Sequence, residues 1–345
     1  MKEDKNKNFQ PLFAGKTWLT YTLFLLVASI MSLFFTTLHF TLCKEPETVT
    51  LSSLINNSAD VPFQFRVLVP WMVNFLYKLN LPFLCSPIIL FKGIDFLSVF
   101  FLIIAFRSYL SLFINNDSIV SLFSLALIFI LPFNYIFYSK SFSAFLYPWD
   151  MPSILFFTIG LILIYRKNWF LYYPVFFIAT FNRETTIFLT FIYFFTAIER
   201  NKITTVLFHC ASQVTVWIII KKFIAILYAN NPGPGLFFCQ FLNNLALLSD
   251  PLKVGILLSN FGFVWIAVVF YFRFIKDHFV KRSLLVVFPF FCGMMIVGNL
   301  VELRIYGELI PVILSAFLLI LNNLFQLDDN VQDIVHKNNG HDIVQ

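Results

Sequence analysis

Residues 169–198 read WFLYYPVFFIATFNRETTIFLTFIYFFTAI, an apolar run of 30 residues with Arg183 and Glu184 at its middle. Basic residues flank this run at both ends. Because Lys and Arg collect on the cytoplasmic side of a membrane, one helix crossing once would place one basic end on the wrong side. We therefore predict two short helices that turn at 182–184 and return the chain to the side from which it came.

The length of each short helix predicts the depth of Arg183 and Glu184 in the membrane. At about 1.5 Å per residue, a helix of about 14 residues covers about 21 Å. The hydrocarbon core of a bilayer is about 30 Å thick. Arg183 and Glu184 are therefore predicted to lie below the membrane surface, in a recess lined by protein.

The composition is typical of a membrane protein. The chain of 345 residues is 59% hydrophobic and 12% charged, whereas an average soluble domain is about 45–50% apolar and about 25% charged. These proportions exclude a soluble enzyme, a disordered chain and a nucleic-acid-binding domain. The net charge of +6 does not change this conclusion, because the cations are scattered between apolar segments. We predict contact with membrane lipids and no nucleic-acid partner.

The fold class predicted from the apolar runs is all-α, a polytopic transmembrane helical bundle with about ten membrane crossings. The first run, 17–40, is longer than the apolar core of a signal peptide and is interpreted as an uncleaved span. Residues 17–325 form one transmembrane domain between a cytoplasmic segment, 1–16, and a cytoplasmic polar tail, 326–345. Besides the two short helices, crossings are predicted at 17–40, 88–106, 119–138, 151–165, 203–220, 254–271, 284–301 and 309–325.

The first outer loop contains a different kind of helix. Residues 66–80 read RVLVPWMVNFLYKLN, which is apolar but too short to span and carries Pro70, Asn74 and Lys78. We predict an interfacial helix that lies along the membrane surface. The distribution of Lys and Arg between the loops places both termini in the cytoplasm.

Ionisable residues converge near the outer ends of the predicted spans. Such residues are costly in a membrane and usually face a partner or a polar cavity. Two interpretations remain open, namely mutual pairing that fixes helix ends and a pocket that binds an anionic substrate. Arginine side chains hold phosphate in a two-point contact, and carboxylates accept protons from hydroxyl groups. The converging residues are Arg66, Asp150, Arg183, Glu184, Lys221, Lys222, Glu302, Arg304 and Glu308.

Four segments resemble the GT-C superfamily of polytopic membrane glycosyltransferases, and uncharacterised bacterial members in particular. They are FRVLVPWMVNFLYKL after the first span, YPWDMP at the entry to a span, FNRE between the short helices, and NLVELRIYGELIP late in the chain. The resemblance covers most of residues 17–325. It implies transfer of a sugar from a polyprenyl-phosphate donor on the outer face of a membrane, the bacterial inner membrane in this case.

The resemblance also implies roles for particular residues. In that superfamily a carboxylate of the first outer loop typically acts as the base, which corresponds here to Asp60, with Glu45 and Glu47 behind it. Asp150 and Glu184, outside this loop, are the alternative candidates for the base. The chain departs from better-known members in lacking the paired acidic motif that often follows the first span. Substrate and phosphate binding is predicted for Arg66, Arg183, Glu302 and Arg304.

Two other functions use similar parts and remain open at this stage. A polysaccharide polymerase or ligase acting on lipid-pyrophosphate glycans would share the outer basic pocket. A transporter of lipid-linked glycans or anions would show matched broken helices, and the sequence shows one interruption, in 169–198. No cofactor and no metal site are predicted, since the five cysteines and five histidines have no metal-ligand spacing. The sequence leaves the oligomeric state and the requirement for a divalent metal open.

Overall fold

The computed structural model describes residues 17–79, 86–138, 145–235 and 238–325. Within these ranges the regular elements are helices, and the β-type pairing is an isolated bridge between Lys44 and Phe145. The predicted all-α class is therefore confirmed, while the predicted terminal segments 1–16 and 326–345 lie outside the described residues. The α-helices are α1 (Thr17–Leu42), α2 (Leu51–Ile55), α3 (Leu68–Lys78), α4 (Pro87–Leu110), α5 (Asp117–Leu125), α6 (Leu127–Tyr135), α7 (Asp150–Tyr165), α8 (Trp169–Asn182), α9 (Phe188–Ala197), α10 (Ile203–Leu227), α11 (Phe241–Leu248), α12 (Pro251–Leu258), α13 (Val264–Phe270), α14 (His278–Ser283), α15 (Val287–Val297) and α16 (Ile310–Phe325).

The chain has the helices of an integral membrane protein. Six helical stretches in the described ranges are long and apolar enough to cross a membrane, or seven if the bent pair α11 and α12 counts as one span. About ten crossings are not confirmed, because the segments predicted at 151–165, in both halves of 169–198 and at 254–271 form helices of fewer than 18 residues. The six stretches are Trp18–Leu42, Pro87–Leu110, Asp117–Tyr135, Ile203–Leu227, His278–Val297 and Leu303–Phe325.

The short helices around Arg183 begin and end where the sequence predicts. Helix α8 ends at Asn182, because Arg183 has an extended backbone with φ −156° and ψ 147°. A 3₁₀ turn over Glu184–Ile187 then leads into α9. The charged pair therefore lies at the junction of two short apolar helices, as predicted.

The prediction of one continuous helix over 254–271 is wrong, because the helix is interrupted between α12 and α13. Residues 261–263 have positive φ values of 56°, 59° and 63° and separate α12 from α13. The side chain of Asn134 stabilises this break: its Oδ1 accepts from the Phe261 N–H at 3.2 Å and its Nδ2 donates to Asn260 Oδ1 at 2.6 Å. A second bend of 100° separates α11 from α12.

Helix α10 is longer than predicted. The predicted span, 203–220, ends just before Lys221 and Lys222. The observed helix runs from Ile203 to Leu227 and contains both lysines. Lys221 is buried, whereas Lys222 is exposed. A lysine pair thus places one cation inside the protein and one outside it, instead of marking the end of a span.

Helices α7 and α16 form the centre of the molecule. In the stretch Leu303–Phe325, 72% of the most apolar 18-residue segment is buried inside the protein. The corresponding values for the other five candidate spans are 17% to 39%. Helix α7 packs against α4, α8 and α16. The turn before α16 packs closely against α6. The approach is so close that a side chain at Gly307 would collide with the Tyr135 hydroxyl. The polar beginnings of α7 and of the last helix therefore meet inside the bundle.

The loop that precedes α3 is attached to the end of α10. The Asn231 side-chain amide donates to the carbonyl oxygens of Asn57 and Ala59, both at 2.9 Å. The Val61 N–H donates to the Pro232 carbonyl at 2.8 Å. This attachment fixes the position of the loop that carries Asp60 and Arg66.

We expect Gly233→Ala to weaken this attachment. Gly233 has φ +120°, and an added Cβ would collide with the Val61 carbonyl oxygen. Gly235 is a matched control, because it also has a positive φ of +85° but has open space around it. Gly233→Ala should therefore cost about 1–3 kcal/mol more than Gly235→Ala in denaturant unfolding in detergent micelles. Equal losses would show that the loop does not depend on this close approach.

Candidate functional site

Among the residues that the structure describes, eight ionisable side chains meet between the beginnings of α7 and the last helix, and we call them the charge cluster. They come from the loop before α3, the start of α7, the junction of α8 and α9, helix α10, and the turn before α16. Four are cations and four are carboxylates, so the formal charges cancel. The members are Arg66, Asp150, Arg183, Glu184, Lys221, Glu302, Arg304 and Glu308.

Arg183 links the carboxylates at the centre of the cluster. Its Nη1 lies 3.1 Å from Glu308 Oε1 and 3.4 Å from Asp150 Oδ1. All three side chains are at most 3% exposed. The Thr185 hydroxyl also donates a hydrogen bond to Glu308. Burial of this kind is stable when the charges are paired, and removal of one partner leaves a buried charge uncompensated.

Arg304 extends the pairing toward the loop that precedes α7. Its Nη2 lies 2.7 Å from Glu302 Oε2, and its Nη1 lies 3.6 Å from Asp150 Oδ1. The guanidinium also lies 3.8 Å from the centre of the Tyr147 ring, in cation–π contact. Burial raises the pKa of the Tyr147 phenol to about 12, so the ring remains neutral beneath the cation.

Arg66 and Glu184 form the second paired region. Both oxygens of the Glu184 carboxylate accept hydrogen bonds from Arg66. Oε2 accepts from Nε at 3.2 Å, and Oε1 accepts from Nη2. The Arg66 guanidinium lies 5.0 Å from the Trp149 ring and 5.4 Å from the Phe63 ring. Trp217 holds the Glu184 backbone by donating to its carbonyl at 2.9 Å. The two-point contact fixes the orientation of the guanidinium.

Lys221 is a further cation of this region, and its ammonium group has no hydrogen-bond partner within the described residues. It interacts electrostatically with Glu184 and Arg66 and is 2% exposed. Within the described residues, neither its Nζ nor the Nη1 of Arg66 has a hydrogen-bond partner. Buried donors that lack a partner are costly. This end of the cluster therefore contains two buried donors without a partner and a local excess of one positive charge.

An apolar cavity of about 420 Å³ ends at the Arg66–Glu184 pair. Its walls are mainly hydrophobic side chains of the loop before α3 and of helices α9, α10 and α15. A ligand with a charged head and a hydrocarbon tail would satisfy both parts of this cavity. The apolar lining residues are Pro62, Phe65, Ile187, Phe188, Trp217, Phe238, Met294, Ile296 and Val297.

Most of the residues predicted for the site lie together. Asp150, Arg183, Glu184, Arg66, Glu302 and Arg304 all belong to the charge cluster, whereas Asp60 does not. Asp60 is partly buried in the loop before α3, and its carboxylate has no ion pair or hydrogen bond within the described ranges. Lys222 is exposed, away from the converging group in which the sequence analysis places it.

Three contributors to the site are missed by the sequence analysis. Trp217 and Phe238 line the cavity, and Thr185 binds Glu308. Thr185 follows directly after the FNRE segment, so its position next to Arg183 and Glu184 is a signal that could have found it. Trp217 lies within an apolar helix and gives no signal in the sequence.

Comparisons with known proteins give no relative: no protein-family model, no curated protein and no solved structure matches this chain. Within the described ranges there is also no group of three or more His, Cys, Asp or Glu side chains that could hold a metal ion. The function of the chain is therefore inferred from the charge cluster and its cavity.

Proposed function

We propose that the chain is an integral-membrane glycosyltransferase that moves a sugar from a polyprenyl-phosphate donor to a hydroxyl group of a lipid, glycan or protein acceptor. The observation that supports this proposal is the apolar cavity that ends at Arg66 and Glu184. Lys221, which does not line the cavity, interacts electrostatically with both residues. A polyprenyl phosphate has the same two parts, a long hydrocarbon chain and an anionic phosphate. The hydrophobic walls would bind the first isoprene units, and Arg66, supported by the charge of Lys221, would bind the phosphate.

The chemistry of the transfer requires cations at this position. The acceptor oxygen bonds to the anomeric carbon while the bond from that carbon to the phosphate oxygen breaks. The acceptor proton passes to a carboxylate, and the phosphate leaves with the electron pair. The leaving group changes from a phosphodiester monoanion to a phosphomonoester dianion. Cations held in place within a low-dielectric recess stabilise this added charge, and Arg66 with Lys221 would provide it.

Asp60 is the best candidate for the base. Both oxygens of Glu184 accept from Arg66, and Asp150, whose Oδ1 pairs with Arg183 and Arg304, is fully buried. Asp60 has no such partner within the described ranges and lies in the same loop as Arg66. Pro62, two residues further along this loop, lines the cavity, and a carboxylate without a partner can accept the proton of an incoming hydroxyl group. Arg183, Glu302 and Arg304 would hold the charge cluster in position.

The membrane topology belongs to the same proposal. We place the charge cluster at the outer face of a bacterial inner membrane, with both termini in the cytoplasm. Helix α3 would lie along the outer interface. Helices α7, α8 and α9, together with the broken region of α12 and α13, would supply the shorter crossings that bring the total to about ten.

Transport is the second candidate function, and one observation favours it. Helices α11, α12 and α13 are interrupted by a bend of 100° and by residues 261–263 with positive φ. The chain therefore has a broken region in addition to the α8–α9 junction, and broken helices are typical of transporter binding sites. A polymerase or ligase acting on lipid-pyrophosphate glycans would use the same cavity and cations.

Proteoliposomes distinguish these functions. Radiolabelled polyprenyl-phosphate sugars would be supplied with a panel of acceptors, and release of free lipid phosphate would be followed. Consumption of the donor by the native chain supports the glycosyltransferase. A labelled lipid-linked glycan that crosses the bilayer while no donor is consumed would replace the proposal with transport. Consumption of lipid-pyrophosphate donors alone would replace it with the polymerase or ligase.

We expect Lys221→Met to weaken binding of a lipid phosphate without destabilising the protein. A hydrogen bond to a charged group contributes about 1.5–3 kcal/mol, which corresponds to about 10- to 150-fold in affinity. Methionine fills a similar volume and removes a buried ammonium that has no partner, so the free energy of unfolding should stay level or rise. Calorimetric titration with farnesyl phosphate, and with farnesol as the uncharged reference, measures the first effect.

Lys222→Met is the matched control, because Lys222 is the next residue but is exposed. It should leave the affinity for farnesyl phosphate within about twofold of the native value, as surface substitutions usually have small effects. Equal weakening by both variants would contradict a specific role for Lys221. A large loss of stability in Lys221→Met alone would show that the lysine serves to neutralise Glu184.

A further inference from the structure

A second cavity, of about 290 Å³, lies at the opposite end of α7 from the charge cluster. It is formed where α7 and α9 end and where α8 and α14 begin. About 16 helical residues, or about 24 Å, separate the two ends of α7. The residues that give this cavity its chemistry are Lys167, Trp169, Tyr193, Arg200, Asn201 and Asp277.

The cations of this cavity are free, whereas the acids are engaged. Within the described ranges, the side chains of Lys167 and Arg200 make no ion pair or hydrogen bond. The Asp277 carboxylate accepts from the Val280 N–H at 3.0 Å and caps α14. The nearby Glu199 contacts His278 at 3.0 Å and pairs with Arg282. The cavity therefore has two unused positive side chains and one carboxylate that is already hydrogen-bonded.

The surroundings of the cavity are those of a membrane surface. Helix α10, one of the six candidate spans, begins beside it at Ile203. Phe170 next to the cavity is 87% exposed, and Ile203 is 49% exposed. Trp169 and Tyr193 in its wall are residue types that concentrate at the level of lipid headgroups. Apolar side chains outside the cavity could thus contact acyl chains while the cations contact a headgroup.

We infer that this cavity binds the phosphate of an anionic phospholipid headgroup, with Lys167 and Arg200 as its cationic ligands. Basic pockets between helices at a membrane surface bind anionic headgroups in this way. The hydroxyl groups of the headgroup and the ester carbonyls of the acyl chains would face Asn201 and Tyr193. This site is separate from the proposed transferase site and does not depend on it.

The test compares purified protein exchanged into detergent with phosphatidylglycerol or phosphatidylcholine, with bound lipid counted by native mass spectrometry. Native protein should retain phosphatidylglycerol in preference to phosphatidylcholine. The double variant Lys167→Gln/Arg200→Gln should reduce phosphatidylglycerol affinity by about tenfold or more, since each basic residue near the surface contributes to attraction of anionic lipid. Both side chains are exposed, so the variant should fold normally.

Arg166→Gln/Lys202→Gln is the matched control, because it removes the same charge from exposed neighbours that do not line the cavity. Equal losses in the two double variants would overturn a specific site in favour of a diffuse basic surface. Equal retention of the two lipids by native protein would also overturn it. Titration with glycerol 3-phosphate separates the sources of phosphate, and binding as tight as that of the lipid would overturn the lipid assignment.

Discussion

Asn in place of Asp60 is expected to slow sugar transfer by about 10²–10⁴-fold, the usual contribution of a general base. Asn has nearly the same shape but cannot accept the proton of the acceptor hydroxyl. Asp60 makes no ion pair within the described part of the chain, so its replacement should leave the fold and the binding of lipid phosphate nearly unchanged. Initial rates in proteoliposomes, together with the KM for the donor, measure this effect.

Asp117→Asn provides the control for Asp60. Its carboxylate is 76% exposed and pairs with Arg107 at 3.2 Å at the start of α5, and it should retain the native rate. Asp60→Glu should recover part of the activity, because it restores a carboxylate with one additional methylene. Full activity in Asp60→Asn would eliminate this residue as the base, and loss in Asp150→Asn or Glu184→Gln would then identify which alternative takes its place.

Arg183→Met is expected to lower the free energy of unfolding by about 3–5 kcal/mol, the cost of breaking a buried ion pair. Arg183 lies between Asp150 and Glu308, and its removal takes the nearest cation from both carboxylates. Asp150 retains Arg304 at 3.6 Å, whereas Glu308 retains the hydroxyl of Thr185. Denaturant unfolding in detergent micelles measures the loss.

A second substitution separates the role of the charge from that of packing. Glu308→Gln added to Arg183→Met removes the uncompensated carboxylate and should recover part of the lost stability. Arg282→Met is the control for an exposed pair, because Arg282 and Glu199 are 36% and 48% exposed, and it should cost at most about 1 kcal/mol. No recovery in the double variant would show that Arg183 stabilises the bundle through packing.

The elements that the sequence predicts best are those bounded by charges. Helix α7 begins at Asp150, and α8 ends at Asn182, because an ionisable residue at an apolar boundary fixes where a helix can end. The break at 261–263 could not be predicted in this way. It depends on hydrogen bonds from Asn134, a residue more than a hundred positions away, and no local pattern records such a contact.

The candidate site shows the same division between local and distant information. The sequence predicts that Arg66, Arg183 and Arg304 converge, because the topology brings the ends of their helices to one side. It does not predict which carboxylate each arginine binds, since that depends on side-chain geometry across separate helices. Lys221 is the clearest case, because a pair of adjacent lysines gives no indication of which one faces inward.

The attachment of the loop before α3 to the end of α10 has a mechanical consequence. The loop carries Asp60 and Arg66, and α10 carries Trp217 and Lys221, so the hydrogen bonds from Asn231 join the loop to the end of this helix. Residues of α15 also line the cavity, but they lie outside this attachment. Under the proposed function, a displacement of α15 would widen the cavity for a long lipid while these hydrogen bonds keep the loop on α10.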